Sequence, residues 1–262
     1  MADFIRYTVE DKVATLVIDH PPVNSFNRQT MTELDAALDA LFADPAVKAI
    51  VITGAGQLAF VAGADLGEIG EMLKKQDTLA AQEMIEVGQK VFNKIEGSHK
   101  PIIAAINGLC LGGGLELAMA CHLRICGDRA RLGQPEIDRG IIPGWGGTQR
   151  LPRIVGPSKA TEIILTGEMI TAQQAMQLRL INMVVPGGEV MRQSIGLAKK
   201  IASKSAVAVT AALAAIRGGL DANLIDGLAN ERKQFVTVAA SDDAREGVFS
   251  FLEKREAKFQ DK

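Results

Sequence analysis

Two glutamates, Glu116 and Glu136, stand in a mostly apolar stretch of this 262-residue chain. Three glycines, Gly112, Gly113 and Gly114, come just before the first. An apolar run from Pro101 to Asn107 reads as a buried strand, and Leu115 to Ala120 suits a helix. Glu116 then falls in the first turn of a helix fed by a glycine turn. Such a junction points bare backbone N–H groups at the helix mouth, where the helix dipole adds partial positive charge. A developing anion on oxygen would be held there. The small-residue turn Ala62-Gly63-Ala64-Asp65 can supply a second N–H, so a carbonyl oxygen turning into an enolate could be held from both sides. The carboxylates suit general acid–base work: one ionised to activate water, the other delivering a proton. Burial raises a carboxyl pKa and lets one member act as the acid. Each feature also has a plain reading. Glycines permit close packing of helix on strand, a Glu in a first turn complements the dipole, and Glu136 after Pro135 can be a loop residue.

Other chemistries fit less well. There is no Gly-x-Ser-x-Gly, no Gly-x4-Gly-Lys-Ser/Thr and no His-Glu-x-x-His. Gly54-Ala55-Gly56 is a lone Gly-x-Gly without the third glycine of a dinucleotide site. His20, His99 and His122 sit outside any triad pattern and read as structural. A glycosidase also uses two carboxylates, but one Trp and one Tyr are few for sugar platforms. Trp145, in Pro143-Gly144-Trp145-Gly146-Gly147, can wall a pocket or pack beneath a glycine loop. The net charge is -2 with scattered basic residues, which points to neither a nucleic acid nor a membrane surface. Cys110, Cys121 and Cys126 read as reduced, buried thiols of a cytoplasmic protein, without zinc spacing. The start, MADFIRYTVED, has no apolar core of a secretory signal.

The elements that must position these residues alternate. Val13 to Asp19 reads as a strand, broken by Pro21-Pro22. Thr30, with Glu33 three places on, reads as the capping box of a helix through Leu34, Leu38 and Leu41. Val47 to Thr53 is the next strand, and one long helix is expected from Glu68 to Glu96. His122 to Cys126 and Arg131 to Gly133 read as strands. Gly147 to Arg150 opens a helix, Ser158 to Thr166 is helical, and Thr171 caps a helix from Ala172 to Arg179. Asn182 to Val185 is a short strand, with Ala-rich helices after Glu189. Strand and helix alternate without a long linker, which predicts an α/β fold with a helical C-terminal part.

On these residues the chain resembles the enoyl-CoA hydratase/isomerase (crotonase) family, and within it the enoyl-CoA hydratases. The motifs that carry the likeness are HPPVNSFN, AFVAGADL, KPIIAAINGLCLGGGLELAMACH, GQPEIDRGIIPGWGGTQRL and EGVFSFLEKREAKF. The resemblance implies a crotonase-like spiral of ββα units with a C-terminal helical region. It divides the chain into a core with the acyl-CoA site, 1–195, and a trimerisation region, 196–262. It implies a homo-oligomer, trimer or hexamer as a dimer of trimers. Two backbone N–H groups, matching Ala64 and Gly113, would hold the thioester carbonyl of an acyl-CoA. Glu116 would act as base on water and Glu136 as donor of the C2 proton, hydrating a trans-2-enoyl-CoA to a 3-hydroxyacyl-CoA. No cofactor is implied beyond the coenzyme A of the substrate, and no metal. Ser25, Phe26 and the run Ala62, Asp65, Leu66, Gly67 match the part that cradles CoA. Phe251 and Lys254 match C-terminal positions that reach the nucleotide end, in some members from a neighbouring subunit. Gly67 stands where some hydratases carry a Lys for a CoA phosphate. Alternatives within the family are an isomerase, which commonly keeps only the acid at the Glu136 position, and a hydratase for dienoyl-CoA substrates. An RNA-binding member would need a lysine-rich helix. Here residues 70–97 mix four lysines with acids, which does not supply it. A 3-hydroxyacyl-CoA dehydrogenase is the implied downstream partner.

Overall fold

A computed structural model describes residues 2–220 and 222–262. Its strands are β1 (Ile5–Glu10), β2 (Val13–Ile18), β3 (Ala49–Gly54), β4 (Ala59–Val61), β5 (Ile102–Ile106), β6 (Leu109–Leu111), β7 (Leu123–Gly127), β8 (Arg131–Gly133), β9 (Ile170–Thr171) and β10 (Met183–Val185). Its helices are α1 (Arg28–Ala43), α2 (Leu66–Lys74), α3 (Thr78–Glu96), α4 (Gly113–Ala120), α5 (Gly147–Val155), α6 (Pro157–Thr166), α7 (Ala172–Gln177), α8 (Val190–Ala202), α9 (Ala206–Leu220), α10 (Leu224–Ala239) and α11 (Asp242–Leu252).

The strands form two sheets, one in the order β1-β2-β3-β5-β7-β10 and one in the order β4-β6-β8-β9. Successive strands step from the first sheet to the second: β3 to β4, β5 to β6, β7 to β8. Helices α2 and α3 follow the first step, α4 the second, and a 3-10 turn, Pro135–Arg139, with α5 and α6 the third. The result is a spiral of ββα units. Pairing is parallel except for β1 with β2 and β8 with β9.

The period of two in the strands decides which core each residue joins. Leu16, Ile18, Ile50, Ile52, Ile102, Ala104 and Ile106 face the inside of the spiral, with α1, α3 and α4. Val13, Ala49, Val51, Ile103, Ala105 and Ile125 face outward onto α8. The large sheet is therefore covered on both sides, as its unbroken apolar strands require. The division expected at residue 195 falls inside α8, whose Ala198 and Ala202 belong to the outer core. Beyond it, α9 and α10 pack on each other, and Asp243 in α11 accepts from the backbone N–H groups of Gln260 and Asp261 at 2.7 and 3.0 Å.

Three local expectations change. The cap of α1 is Asn27, not Thr30. Asn27 Oδ1 accepts from Thr30 N, and Thr30 Oγ1 accepts from Asn27 N, each at 2.7 Å. Asn is as good a cap as Thr, and the box closes one turn earlier. Glu33 is thereby freed to accept from the N–H groups of Phe4 and Ile5, at 2.8 and 3.1 Å, tying down β1. That strand, solvent-facing over most of its length, lacks the apolar pattern that marks the others. Lastly, the single helix expected from Glu68 to Glu96 is two. Gln76 turns left-handed at φ 50°, and Asp77 starts α3 by accepting from Ala80 N at 2.9 Å.

Candidate active site

Both small-residue turns converge on one cavity. Gly112 links β6 to α4 at φ 53° and ψ −125°, a conformation open to glycine. A Cβ there would also lie 2.7 Å from Glu136 Oε1. At Gly113 a Cβ would meet the Trp145 ring at 2.5 Å and the Ala64 nitrogen at 3.7 Å. At Gly114 it would run into the Val61 carbonyl, so this glycine serves close packing of α4 on β4. The plain and the chemical readings of the triplet hold at different members. Ala64 is fixed by a parallel bridge to Phe26: Phe26 N donates to Gly63 O at 2.9 Å and Asp65 N to Phe26 O at 2.7 Å. These bonds flank Ala64 and leave its own N–H on the opposite side, toward the cavity that Ala64 and Gly113 line. Among the described residues, neither the Ala64 nor the Gly113 N–H donates a hydrogen bond within the protein. Two unpaired amides thus sit side by side, one at a helix N-terminus.

Glu116, 2 % exposed, lies one turn into α4. Its Oε1 accepts from Trp145 N at 2.8 Å and Gly147 N at 2.7 Å. Burial pushes its pKa up to about 7; the nearby charge of Glu136 adds to this, while the two N–H groups and Arg150 pull against it. Glu136, half-buried in the 3-10 turn begun by Pro135, is also pushed up to about 7 by burial, against its own backbone N–H and Arg139. The Gln134 amide, with its nitrogen facing the carboxylate, donates to both Glu136 oxygens at 3.1 and 3.0 Å. Burial thus raises both carboxyls toward neutrality, and the charge of Glu136 makes Glu116 harder to ionise.

The cavity measures about 710 Å³ and holds both glutamates, both amides and an apolar wall that includes Ile69, Met72, Met84 and Ile85. A second cavity of about 610 Å³, lined by Phe26, Arg28, Gly67 and Lys75, shares Ala64, Met72, Met84 and Trp145 with the first. Trp145 is one of the four residues the two cavities share. It is 4 % exposed, its Nε1 donates to Met84 O at 3.1 Å, and it stands edge-to-face with Phe26 and Phe92. It both walls the cavity and packs beneath the glycine loop.

Ala62 and Leu66 line the first cavity, Gly67 the second, and Asp65 both borders the second and caps α2 through Gly67 N and Glu68 N. Ser25 lines neither; its carbonyl accepts from His20 Nδ1 at 2.6 Å. Phe251 and Lys254, in α11 and just after it, are also outside both cavities. His122 Nδ1 accepts from Ile102 N at 3.0 Å, and burial pushes its pKa down to about 4, so it is a neutral structural acceptor. The three cysteines are free and buried. Gln134 and Arg150 were not singled out by sequence reasoning. Their motif was visible, but Arg150 reaches Asn93 and Glu96 across the fold, and a glutamine two positions from a glutamate is no signal in itself.

Residues 8–262 match the family model described as enoyl-CoA hydratase/isomerase. The chain is 42 % identical over 251 residues to the crotonyl-CoA hydratase of Syntrophomonas wolfei, covering 95 % of each chain. It is 40 % identical over 252 residues to the 2,3-dehydroadipyl-CoA hydratase of Escherichia coli, covering 96 % of each. The crystal structure of an enoyl-CoA hydratase from Bacillus anthracis superimposes with a TM-score of 0.94 at 35 % identity, over 99 % of this chain and 100 % of that one. A family match across nearly the whole chain and relatives this similar place it plainly: the chain belongs to the enoyl-CoA hydratase/isomerase family.

Proposed function

We propose that the chain is an enoyl-CoA hydratase, adding water across C2=C3 of a trans-2-enoyl-CoA to give a 3-hydroxyacyl-CoA. One observation carries this: two carboxyls with pKa values near 7 and two unpaired amides line the same cavity. In the proposal the thioester oxygen accepts from Ala64 N and Gly113 N. Glu116, its Oε1 held by two N–H groups, takes a proton from water as the water oxygen bonds to C3. The C=C electrons move toward the carbonyl, and the enolate charge is held by the amides and the α4 dipole. Glu136 gives its proton to C2, and the thioester carbonyl re-forms. One proton enters and one leaves the pair, so each turnover returns the pair with its proton on the opposite carboxylate, and exchange with solvent resets it. CoA would run through the second cavity, past Phe26, Gly67 and Lys75.

An isomerase moves a proton between two carbons and activates no water. The presence of the second buried carboxylate at Glu116 favours hydration over it. The lysines of α3 do not favour RNA: Lys94 pairs with Asp35 and Asp39, and Lys90 with Asp35, all on α1. The proposal extends to a cytoplasmic location, consistent with unpaired thiols, and to a role in fatty-acid β-oxidation or related acyl-CoA degradation, where a 3-hydroxyacyl-CoA dehydrogenase consumes the product. It also extends to a homo-oligomer, trimer or dimer of trimers, in which Phe251 and Lys254 of one subunit reach the CoA of another. The exposed apolar side chains of α10 and α11 support assembly.

Hydration of crotonyl-CoA, followed by loss of enoyl-thioester absorbance, tests the reading. Wild type is expected to turn over rapidly, and Glu116→Gln and Glu136→Gln each to lose roughly 10²–10⁴-fold while staying folded. Rapid turnover by either variant would overturn the two-carboxylate mechanism. A wild type inactive on enoyl-CoAs of every chain length would overturn the hydratase assignment.

A further inference from the structure

We propose that Arg150 is the positioning residue that holds the Glu116 carboxylate in its working orientation, by fixing the turn 144–147 against α3. The inference rests on Glu116 being the base of the proposed hydration. Arg150 is buried at 8 % exposure, and its guanidinium donates four hydrogen bonds within the protein. Nη1 donates to Trp145 O at 2.9 Å, Nη2 to Asn93 Oδ1 and Glu96 Oε2 at 2.7 Å each, and Nε to Glu96 Oε2 at 3.1 Å. The same Trp145 presents its N–H to Glu116 Oε1 at 2.8 Å. One residue is therefore pinned on its carbonyl side by Arg150 and grips the carboxylate on its amide side.

Two further bonds join this turn to α3. Gln89 Nε2 donates to Gly144 O at 2.8 Å, and Trp145 Nε1 donates to Met84 O. Arg150 is the charged member of this set, and its fork spans the gap from α5 to α3 as a lysine's single ammonium would not. Gly146, at φ 109°, leaves the room it occupies: a Cβ there would run into the guanidinium. The charged groups around Glu116 are Glu136 from the 3-10 turn and Arg150 from α5. Arg150 thus also offsets the charge that builds on the carboxylate as the base ionises. Its partner Glu96 is half-exposed, so the network reaches from the site to solvent through one ion pair. Because α3 also supplies Met84 and Ile85 to the acyl wall, the same bolts set the wall and the base in one frame.

The test compares wild type, Arg150→Met, Arg150→Lys, Glu96→Gln and Glu116→Gln, with crotonyl-CoA as substrate. Trp145 is the chain's single tryptophan, so its fluorescence reports this turn directly. Arg150→Met is expected to lower kcat roughly 100-fold with KM little changed, as misplacement of a catalytic group does. Its acid limb in the kcat profile should move to higher pH, since loss of a nearby cation makes Glu116 harder to ionise. Its emission should shift to the red. Arg150→Lys should restore the acid limb but only part of kcat. Glu96→Gln, which leaves the buried guanidinium in place, should show a weaker fall in kcat and serves if Arg150→Met does not fold. An unmoved acid limb with unmoved fluorescence in the folded variants overturns the proposal, as does activity lost only in proportion to folded protein. Full activity in Glu116→Gln is a separate failure: it removes the assigned base and leaves the Arg150 contacts as they are.

Discussion

At the residue scale, Glu116 shows what a buried base costs the fold. Its folded pKa of about 7 lies above the ordinary carboxyl value of 4.5. Between those two pH values the folded chain holds a proton that the unfolded chain has lost, so stability falls as pH rises through that window. Above it the full penalty is present, of the order of 3 kcal/mol. Glu116→Gln keeps an oxygen to accept from Trp145 N and Gly147 N and removes the charge. The variant is expected to match wild type at pH 4, below the window, and to melt several degrees higher at pH 8.5. Equal melting temperatures at both pH values would show that the penalty is absent. The glutamates and the two amide turns were legible from residue type and local spacing alone. Gln134 and Arg150 were not, because a buried amide or guanidinium is read from its partners. Arg150's partners on α3, Glu96 and Asn93, lie 54 and 57 positions away.

At the element scale, helix α3 does more than its sequence suggested. Five hydrogen bonds between it and the 144–150 segment hold the loop that orients the base, and its Gly88 lies directly under the Trp145 ring. A glycine in mid-helix is by itself a weak point, but in the fold this one leaves the space the indole fills. Gly88→Ala gains about 1 kcal/mol in helix propensity. It also drives a methyl group into the ring, an overpacking that costs about 1–3 kcal/mol. The second effect should win. The variant is expected to melt lower than wild type, with red-shifted Trp145 emission and reduced hydration. A variant that melts higher, with emission unchanged, would show that the indole can step aside. Most strands and helices were foreseeable from β-branched runs and apolar spacing. The break at Gln76 was missed although the polar run Lys74 to Thr78 contains Asp77, the cap of α3; the left-handed turn itself falls on a glutamine, with no glycine to announce it.

At the scale of the whole molecule, the spiral core accounts for its own apolar residues but the C-terminal helices do not. α10 has no buried residue along its sixteen positions, although it carries Leu224, Ile225, Leu228, Phe235 and Val236. Ile225 and Phe235 are 79 % and 72 % exposed. A helix packed mainly on α9 gains little from burial, and helical propensity alone holds such a segment weakly. Exposed apolar surface of this kind marks an association face. The core strands were readable in the sequence as short, β-branched apolar runs, though not which face of the sheet each residue takes. The α10 surface was not, because an amphipathic helix reads the same whether it covers its own chain or another copy. The homo-oligomer proposed above supplies the missing cover. Sedimentation velocity is expected to show the wild type as a multiple of the monomer mass. Ile225→Glu combined with Phe235→Glu should shift it toward monomer and lower its melting temperature, as charges buried at an interface do. If Phe251 and Lys254 act across subunits, the monomeric variant should also show a raised KM for enoyl-CoA while Glu116 and Glu136 stay in place. A wild type that sediments as a monomer would overturn the assembly. An oligomer untouched by both substitutions would move the interface away from α10.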